Sequence, residues 1–169
     1  MVLLAERYGP ALKMVSHLTL PGFQEKSRSI AHFFGTRRGP HYDGPSGEFG
    51  IVKSEGPDFP KVILVQQVHG TNVLVLDHPV KVGEMFPGGW DAILTNQPNL
   101  LMTVRTADCV PVLLADSYQR IVGVVHAGWR GLVHGIIPKT LERMKKKFGC
   151  AMDSIQMAIG PSAGPCCYE

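Results

Sequence analysis

The sequence predicts an α+β domain in which mixed or antiparallel β-sheets are flanked by helices. Several short runs rich in Val, Ile and Leu are typical of buried strands, whereas only one long stretch has helical periodicity. The gaps between successive runs are too short to hold a helix between most strands, which excludes a doubly wound α/β fold. The 169 residues are 44% hydrophobic and 18% charged, so we expect a single globular domain over residues 1–169.

The N-terminal stretch MVLLAERYGPALKMV begins with an apolar patch, but Glu6 and Arg7 interrupt it and no cleavage site follows. It therefore does not resemble a secretory signal peptide. No apolar stretch approaches the roughly 20 residues that a bilayer crossing requires. We expect a soluble protein that contacts no membrane.

The cysteines are too few and too unevenly spaced for a secreted disulfide scaffold, which favours a reducing, cytoplasmic compartment. They are Cys109, Cys150, Cys166 and Cys167. The net charge of +3 is mildly basic, and its obvious cluster is the run 145–147 of three lysines. A run this short is typical of a solvated helix end, so we expect no nucleic-acid partner.

Residues 35–60 are dense in Gly, Pro, Asp and Ser, and this composition predicts a segment that is largely loop. A loop of that length in a compact domain tends to serve a site. Seven strands are predicted after it: Lys61–Val68, Asn72–Leu76, Asp91–Leu94, Leu101–Arg105, Val110–Ala115, Ile121–Val125 and Ser154–Ile159.

One helix is predicted over Gly131–Phe148, where apolar residues recur on roughly one face. Gly149 ends it, and the preceding lysines lie near its negative pole. Pro138 disagrees with a continuous helix. Either the helix is kinked there, or its regular part begins at this proline, where a missing amide hydrogen costs nothing.

Three short segments carry metal-ligating side chains, each at a point where an apolar strand gives way to glycine or a turn. They hold His69, Cys109 and His126. Two imidazoles and one thiolate suit zinc, and three protein ligands leave a fourth tetrahedral position for water. The cation would lower the pKa of that water towards about 7. The pattern predicts a catalytic zinc centre, although a histidine or cysteine in an apolar strand is also commonly an inert core residue.

Two polar residues lie next to these ligands in the sequence. Asp108 precedes Cys109, and Gln67 lies two residues before His69. Either side chain can orient a ligand or handle a proton if it points into the site. Asp108 has the stronger claim, because an acid between buried strands is costly without a role.

The same segments resemble the YlmD/YfiH family of multicopper polyphenol oxidase or laccase-like proteins. The matching stretches are QVHG (67–70), DAILT (91–95), TADCVPVLLAD (106–116), VHAGWRGL (125–132) and IGPSAGPCCYE (159–169). The combination of TADC and HAGWRG is highly specific. The resemblance implies an α/β sandwich, and it implies that this chain lacks the C-terminal portion of the family.

By the same resemblance, His69, Cys109 and His126 bind zinc, with copper as the alternative metal. The implied reaction is phosphorolysis of adenosine, inosine or guanosine to free base and ribose 1-phosphate, with adenosine deaminase activity beside it. The implied partners are a purine nucleoside and phosphate, and we expect a monomer or homodimer.

Phosphorolysis requires a cationic phosphate site, for which Arg37, Arg105 and Arg130 are the candidates, because guanidinium binds phosphate at two points. Each is equally explained as a surface ion-pair residue. The aromatic candidates for stacking on a purine are Phe34, Tyr42 and Trp129, the last of which also suits a core position. We assign catalytic roles to Asp108, Cys109, Arg37 and Arg130, and substrate binding to Gln67, Phe34 and Arg105.

Three alternatives remain. A copper-binding polyphenol oxidase is one, but the seven histidines form no HxH pair, so a complete multicopper oxidase cannot be assembled. A Cys–His hydrolase or deamidase, like certain toxin deamidases, would use Cys109 as nucleophile and His126 as base. A non-catalytic zinc-binding module would require a fourth protein ligand, for which His134 and Cys166 are the candidates. The base-deaminase signature HxE with PCxxC is absent, so any deamination would use zinc in a different setting.

Overall fold

The computed structural model describes residues 2–6, 17–18, 30–35, 50–53 and 61–168. The strands are β1 (Val2–Glu6), β2 (His17–Leu18), β3 (Ile30–Gly35), β4 (Gly50–Lys53), β5 (Lys61–Leu64), β6 (Val73–Leu76), β7 (Ala92–Thr95), β8 (Leu100–Val104), β9 (Val110–Asp116), β10 (Ile121–Ala127) and β11 (Ile155–Ile159). The helices are α1 (Trp129–Val133) and α2 (Ile136–Phe148).

These strands form two mixed sheets. The six-stranded sheet has the order β2-β3-β1-β8-β5-β4, and the five-stranded sheet has the order β11-β9-β10-β7-β6. Each contains one parallel pair, β5 with β8 in the first and β6 with β7 in the second, and the other neighbours are antiparallel. This confirms the predicted α+β class with mixed sheets.

The two sheets pack face to face, and α2 covers the outer face of the five-stranded sheet. Ile63, Met102 and Val124 belong to the core between the sheets, whereas Leu94 and Met144 belong to the core between sheet and helix. Strands β7, β9 and β10 are therefore covered on both faces, which explains their almost continuously apolar sequences.

All seven predicted strands are confirmed, with shifted ends. Strand β5 stops at Leu64 rather than Val68, and β10 continues to Ala127. The prediction of a loop over residues 35–60 is wrong at β4, which pairs antiparallel with β5 (Val52 beside Val62). Residues 36–49 and 54–60 lie outside the described residues. Strands β1 to β3 were not predicted, because their register depends on partners distant in sequence.

The single predicted helix is wrong in one respect, since it is divided into α1 and α2 at Gly135. This residue has φ 84°, a left-handed conformation that interrupts the helix and suits glycine. Pro138 is the third residue of α2, within the first turn, where amide hydrogens have no partner inside the helix. Gly149 ends α2 as predicted, with φ 72° and its amide donating to Lys145 O at 3.0 Å. No helix in the described ranges is both long enough and apolar enough to cross a bilayer.

Candidate metal site

Three chain segments meet at one end of the five-stranded sheet. His69 lies in the segment after β5, and Cys109 directly precedes β9. His126 is the residue before the last in β10, which ends at Ala127. The antiparallel register places Val110 beside Ala127, which brings Cys109 to the same sheet end as His126. The ligating atoms of His69, Cys109 and His126 all lie within 4.8 Å of one another. This group can hold a metal ion.

His126 is held by a buried carboxylate. Its Nδ1 lies 2.8 Å from Asp91 Oδ1, and the two side chains are 3% and 0% exposed. Burial raises the pKa of Asp91, but hydrogen bonds from His126 and from the amides of Gly70 and Val68 outweigh it, so the pKa lies below its ordinary value. Asp91 is thus an ionised acceptor, which assigns the hydrogen to His126 Nδ1 and leaves Nε2 as the metal-ligating atom.

His69 has an unusual backbone conformation. Its φ is 57°, in the left-handed region that costs a non-glycine residue roughly 1–2 kcal/mol. Its amide donates to Asp91 Oδ1 at 2.9 Å, and the Gly70 amide donates to Asp91 Oδ2 at 2.7 Å. The His69 ring meets the His126 ring edge to face, with centroids 4.7 Å apart. The carboxylate therefore stabilises the turn that presents His69.

Cys109 is half-buried. Burial, followed by the negative charges of Asp108 and Asp91, raises the pKa of its thiol. A nucleophilic cysteine requires the opposite shift, so the surroundings of Cys109 do not favour the hydrolase interpretation. A bound metal cation would supply the missing positive charge and stabilise the thiolate.

The main chain also fits closely around the three side chains. A Cβ added at Gly128 would lie 2.8 Å from His69 Cδ2 and 3.2 Å from Cys109 Sγ. At Gly131 an added Cβ would lie 2.8 Å from the backbone oxygen of Gly70. The two glycines of HAGWRG are therefore required by close approach to the site rather than by a turn.

A cavity of about 450 Å³ opens beside the group. This volume lies within the range of about 300–1,000 Å³ typical of small-molecule pockets. It is lined by His69, Asp108, Cys109, Trp129, Arg130, Cys167 and Tyr168. The site is thus open towards a space that can admit a reactant.

Three of the four residues predicted to be catalytic, Asp108, Cys109 and Arg130, lie in this lining. Asp108 is there, but its side chain is exposed, so the expectation of an acid buried between strands is wrong for this residue. The buried acid at the site is Asp91. Arg130 is also exposed, and its guanidinium lies over the Trp129 ring, 5.2 Å from the ring centroid.

The residues predicted to bind substrate lie elsewhere in the described structure. The side chain of Gln67 donates to Arg105 O and accepts from Arg105 N, both at 2.8 Å, which ties the segment after β5 to the end of β8. Phe34 is 3% exposed in the core between the sheets, and its ring lies against Gly160. Its contacts are therefore packing contacts. Arg37 and Tyr42 lie outside the described residues.

Neither candidate for a fourth protein ligand belongs to the group. The Nδ1 atom of His134 lies 2.7 Å from Arg130 O, and Cys166 Sγ lies 3.2 Å from Cys167 Sγ. Within the part of the chain that the structure describes, the metal group consists of three side chains. A structural four-ligand site is therefore not formed by these residues.

The sequence predicts Asp91 only as the first residue of a strand, whereas the structure shows it bonded to His69 and His126. The strand that follows it, β7, is buried at every position. An acid at the beginning of such a strand requires a hydrogen-bonding partner. The position of Asp91 therefore indicates a hydrogen-bonded carboxylate from the sequence alone, but not which residues bind it.

Comparison with known proteins identifies relatives of this chain. Residues 51–169 match the family model described as multi-copper polyphenol oxidoreductase laccase. A purine nucleoside phosphorylase of Bacteroides thetaiotaomicron is 31% identical over 164 residues, which cover 83% of this chain and 61% of the relative. An adenosine deaminase named RL5, from an unknown prokaryotic organism, is 38% identical over 119 residues, which cover 68% of this chain and 45% of the relative.

The crystal structure of YlmD from Geobacillus stearothermophilus has the same fold over the matched region. Its TM-score is 0.55 at 30% sequence identity, and the match covers 63% of this chain and 42% of YlmD. The resemblance noted in the sequence is thereby confirmed. The chain spans between 26% and 61% of the length of the curated relatives compared with it.

Proposed function

This chain belongs to the multi-copper polyphenol oxidoreductase laccase family, and we propose that it acts as a zinc-dependent purine nucleoside phosphorylase with adenosine deaminase activity. The observation that carries the proposal is the convergence of His69, Cys109 and His126 beside an open cavity. The names of the relatives support the reaction, since one is a purine nucleoside phosphorylase and another an adenosine deaminase.

The donor set supports zinc as the metal. Two imidazole nitrogens and one thiolate match the ligands of catalytic zinc sites, and three protein donors leave one position for a reactant. The hydrogen bond from His126 Nδ1 to Asp91 presents Nε2 for ligation, and Gly128 leaves the space that the His69 ring occupies. When bound, zinc would act as a Lewis acid on an oxygen of the reacting substrate.

The cavity walls support roles for the other residues. Among the described residues that line the cavity, Arg130 is the arginine, and we assign it the binding of phosphate. Arg37, which lies outside the described residues, is proposed as a second phosphate-binding arginine. Trp129 and Tyr168 offer aromatic surface to a purine. Asp108, whose exposed carboxylate lines the cavity next to Cys109, is assigned the role of accepting or returning a proton at the substrate.

Three residues predicted to bind substrate lie outside the cavity and support the proposed site through their contacts with the surrounding structure. Gln67 and Arg105 hold the segment that leads to His69 through their paired hydrogen bonds. Phe34 supports the sheet packing behind the site. Their contribution to substrate binding is therefore one of positioning.

Copper is the second candidate metal, favoured by the description of the matching family model. The described residues supply one group of three donors. Multicopper oxidation requires several copper centres, so this group would support at most single-site oxidase chemistry.

The test combines metal analysis of the purified protein with chromatography after incubation with adenosine or inosine and phosphate. We expect about one zinc per chain, and free base with ribose 1-phosphate as products. Conversion of adenosine to inosine without phosphate would report the deaminase activity. Stoichiometric copper with oxidation of a phenol, and no purine product, would instead establish the oxidase.

Two histidine variants provide a matched pair for that assay. His69→Ala removes an exposed candidate ligand, whereas His78→Ala removes an exposed histidine whose ring contacts Asp77. Loss of zinc and of product in the first variant only is expected. Equal activity in both variants would contradict the proposed site.

The cellular compartment, the assembly state and the domain organisation of the protein stay predictions. We propose a cytoplasmic protein that acts as a monomer or homodimer and binds no nucleic acid. We also propose one domain over residues 1–169. Size-exclusion chromatography with light scattering measures the assembly state directly.

A further inference from the structure

Asp91 is a fully buried carboxylate that lies behind the site and does not line the cavity. It directly precedes β7, which lies beside β10, the strand that carries His126, in the five-stranded sheet. Its two oxygens are used almost completely. Oδ1 lies 2.8 Å from His126 Nδ1 and accepts from the His69 amide at 2.9 Å. Oδ2 accepts from the Gly70 amide at 2.7 Å and from the Val68 amide at 3.3 Å.

These bonds determine how His126 faces the metal. With Nδ1 bound to the carboxylate, the ring can neither rotate nor exchange its two nitrogens without breaking a buried hydrogen bond. The backbone of Asp91 adds a second restraint, because its carbonyl accepts from the His126 amide at 2.7 Å. Both the side chain and the main chain of His126 are thus bound to one residue.

The same carboxylate determines where His69 lies. Three successive amides, those of Val68, His69 and Gly70, donate to it. This arrangement stabilises the left-handed conformation of His69, which directs its ring towards His126 and Cys109. Without this buried acceptor, the amides of residues 68–70 would lose the hydrogen bonds that stabilise the turn.

We propose that Asp91 is a positioning residue that sets the geometry of two metal ligands at once, His69 and His126, without touching the metal. The proposal rests on the proposed function only in taking these histidines as metal ligands. It predicts that the affinity and coordination geometry of the metal depend on a carboxylate in the layer behind the ligands.

The test compares Asp91→Asn with Asp116→Asn. Asp116 is an equally buried aspartate, which accepts from the amides of Tyr118 and Gln119 and from the Ser154 hydroxyl. It lies at the opposite end of β9 from Cys109. Both substitutions keep side-chain size and replace an acceptor-only group by an amide. General loss of stability is therefore matched between the two variants.

The measurement is the dissociation constant for zinc by competition with a chelator, together with the visible absorption spectrum of the cobalt-substituted full chain. For Asp91→Asn we expect affinity to fall by about 10–100-fold, the usual effect of losing a partner of a ligating histidine, and the cobalt bands to shift. For Asp116→Asn we expect wild-type affinity and an unchanged spectrum. Unchanged affinity and spectrum in Asp91→Asn, or equal losses in both variants, would overturn the proposal.

A second measurement applies even if Asp91→Asn does not fold. Nitrogen-15 NMR of the metal-free wild-type protein should show His126 with its hydrogen on Nδ1, and the Nε2-protonated form would contradict the proposal. This outcome is distinguishable from failure of the proposed function. A protein that binds zinc through a geometry sensitive to Asp91 but releases no base or ribose 1-phosphate would refute the phosphorylase and leave the role of Asp91 intact.

Discussion

The two ends of the β9–β10 ladder carry the same kind of residue for different purposes. At one end the chain turns between Asp116 and Ile121, and at the other Val110 pairs with Ala127 beside the metal group. Each end contains one fully buried aspartate, which accepts hydrogen bonds from backbone amides and from at least one side chain. We call them the turn end and the site end.

The difference between the ends is the sequence distance of the backbone amide donors. At the turn end, Asp116 accepts from the amides of Tyr118 and Gln119, two and three residues further along the chain. At the site end, Asp91 accepts from the amides of residues 68–70, which lie 21 to 23 positions away. The amide hydrogen bonds of a buried carboxylate thus close a local turn in one place and fix a distant segment in the other, and only the second arrangement brings metal-ligating side chains together.

The largest expected effect comes from removing the side-chain donor at each end. His126→Ala should lower zinc affinity by at least about 100-fold, because it removes a ligand rather than only the partner of one. Phosphorolysis should be lost with it. Ser154→Ala removes the corresponding donor to Asp116, at 2.6 Å, and should leave zinc affinity unchanged. Isothermal titration with zinc measures both, and an equal decrease in the two variants would show that the ends are not independent.

The next effect concerns stability. Asp116→Ala should reduce the free energy of unfolding by about 3 kcal/mol, because it removes the buried acceptor of two amides and one of the two acceptors of the Ser154 hydroxyl. Zinc affinity should not change. Urea unfolding of the metal-free protein gives the first quantity. A loss below about 0.5 kcal/mol, as at an ordinary surface position, would mean that water replaces the carboxylate.

This contrast also explains what the sequence could predict. Apolar runs of Val, Ile and Leu predict β5 to β11, since strands that are buried on both faces have that composition whatever their neighbours. The donor types found His69, Cys109 and His126, because soft and borderline ligands at strand ends are chemically distinctive. The role of Asp91 could not be seen, because its partners are distant and an aspartate before a strand has no distinctive neighbours. Strand β1 was missed for the same reason, as it pairs with β8 about a hundred residues away, whereas β4 was missed because the sequence around it is dense in Gly, Pro, Asp and Ser.

A smaller effect is expected from adding one methyl group near the site end. In Gly128→Ala the new Cβ would lie 2.8 Å from His69 Cδ2 and 3.2 Å from Cys109 Sγ, so that the His69 ring must shift. We expect zinc affinity to fall about 10-fold, since the ligands remain but their geometry is disturbed. Gly123→Ala is the control in the middle of β10, where the methyl group meets Leu94 Cδ2 at 2.5 Å. It should lower stability without changing zinc affinity, and a loss of affinity there as well would place the effect in the sheet rather than in the site.

The smallest expected effect is the acid dependence of the turn end. Burial raises the pKa of Asp116, but hydrogen bonds, first from Ser154 and then from the Gln119 amide, outweigh it and leave the pKa below its ordinary value. A lowered folded-state pKa adds stability that is complete above the unfolded pKa of about 3.9 and is lost as the pH falls through the folded value. The neighbouring Cys150 does not titrate in this range, since burial and Asp116 raise its pKa to about 12.

Asp116→Asn lacks this contribution, so its free energy of unfolding should decrease less than that of the wild type between about pH 6 and pH 3. Urea unfolding of metal-free protein across this range provides the comparison. The slopes should differ only modestly, because Asp91 and the surface carboxylates titrate in both proteins. Parallel slopes would show that Asp116 is protonated at the same pH in folded and unfolded chains. The two buried aspartates would then differ in protonation as well as in the sequence distance of their backbone amide donors.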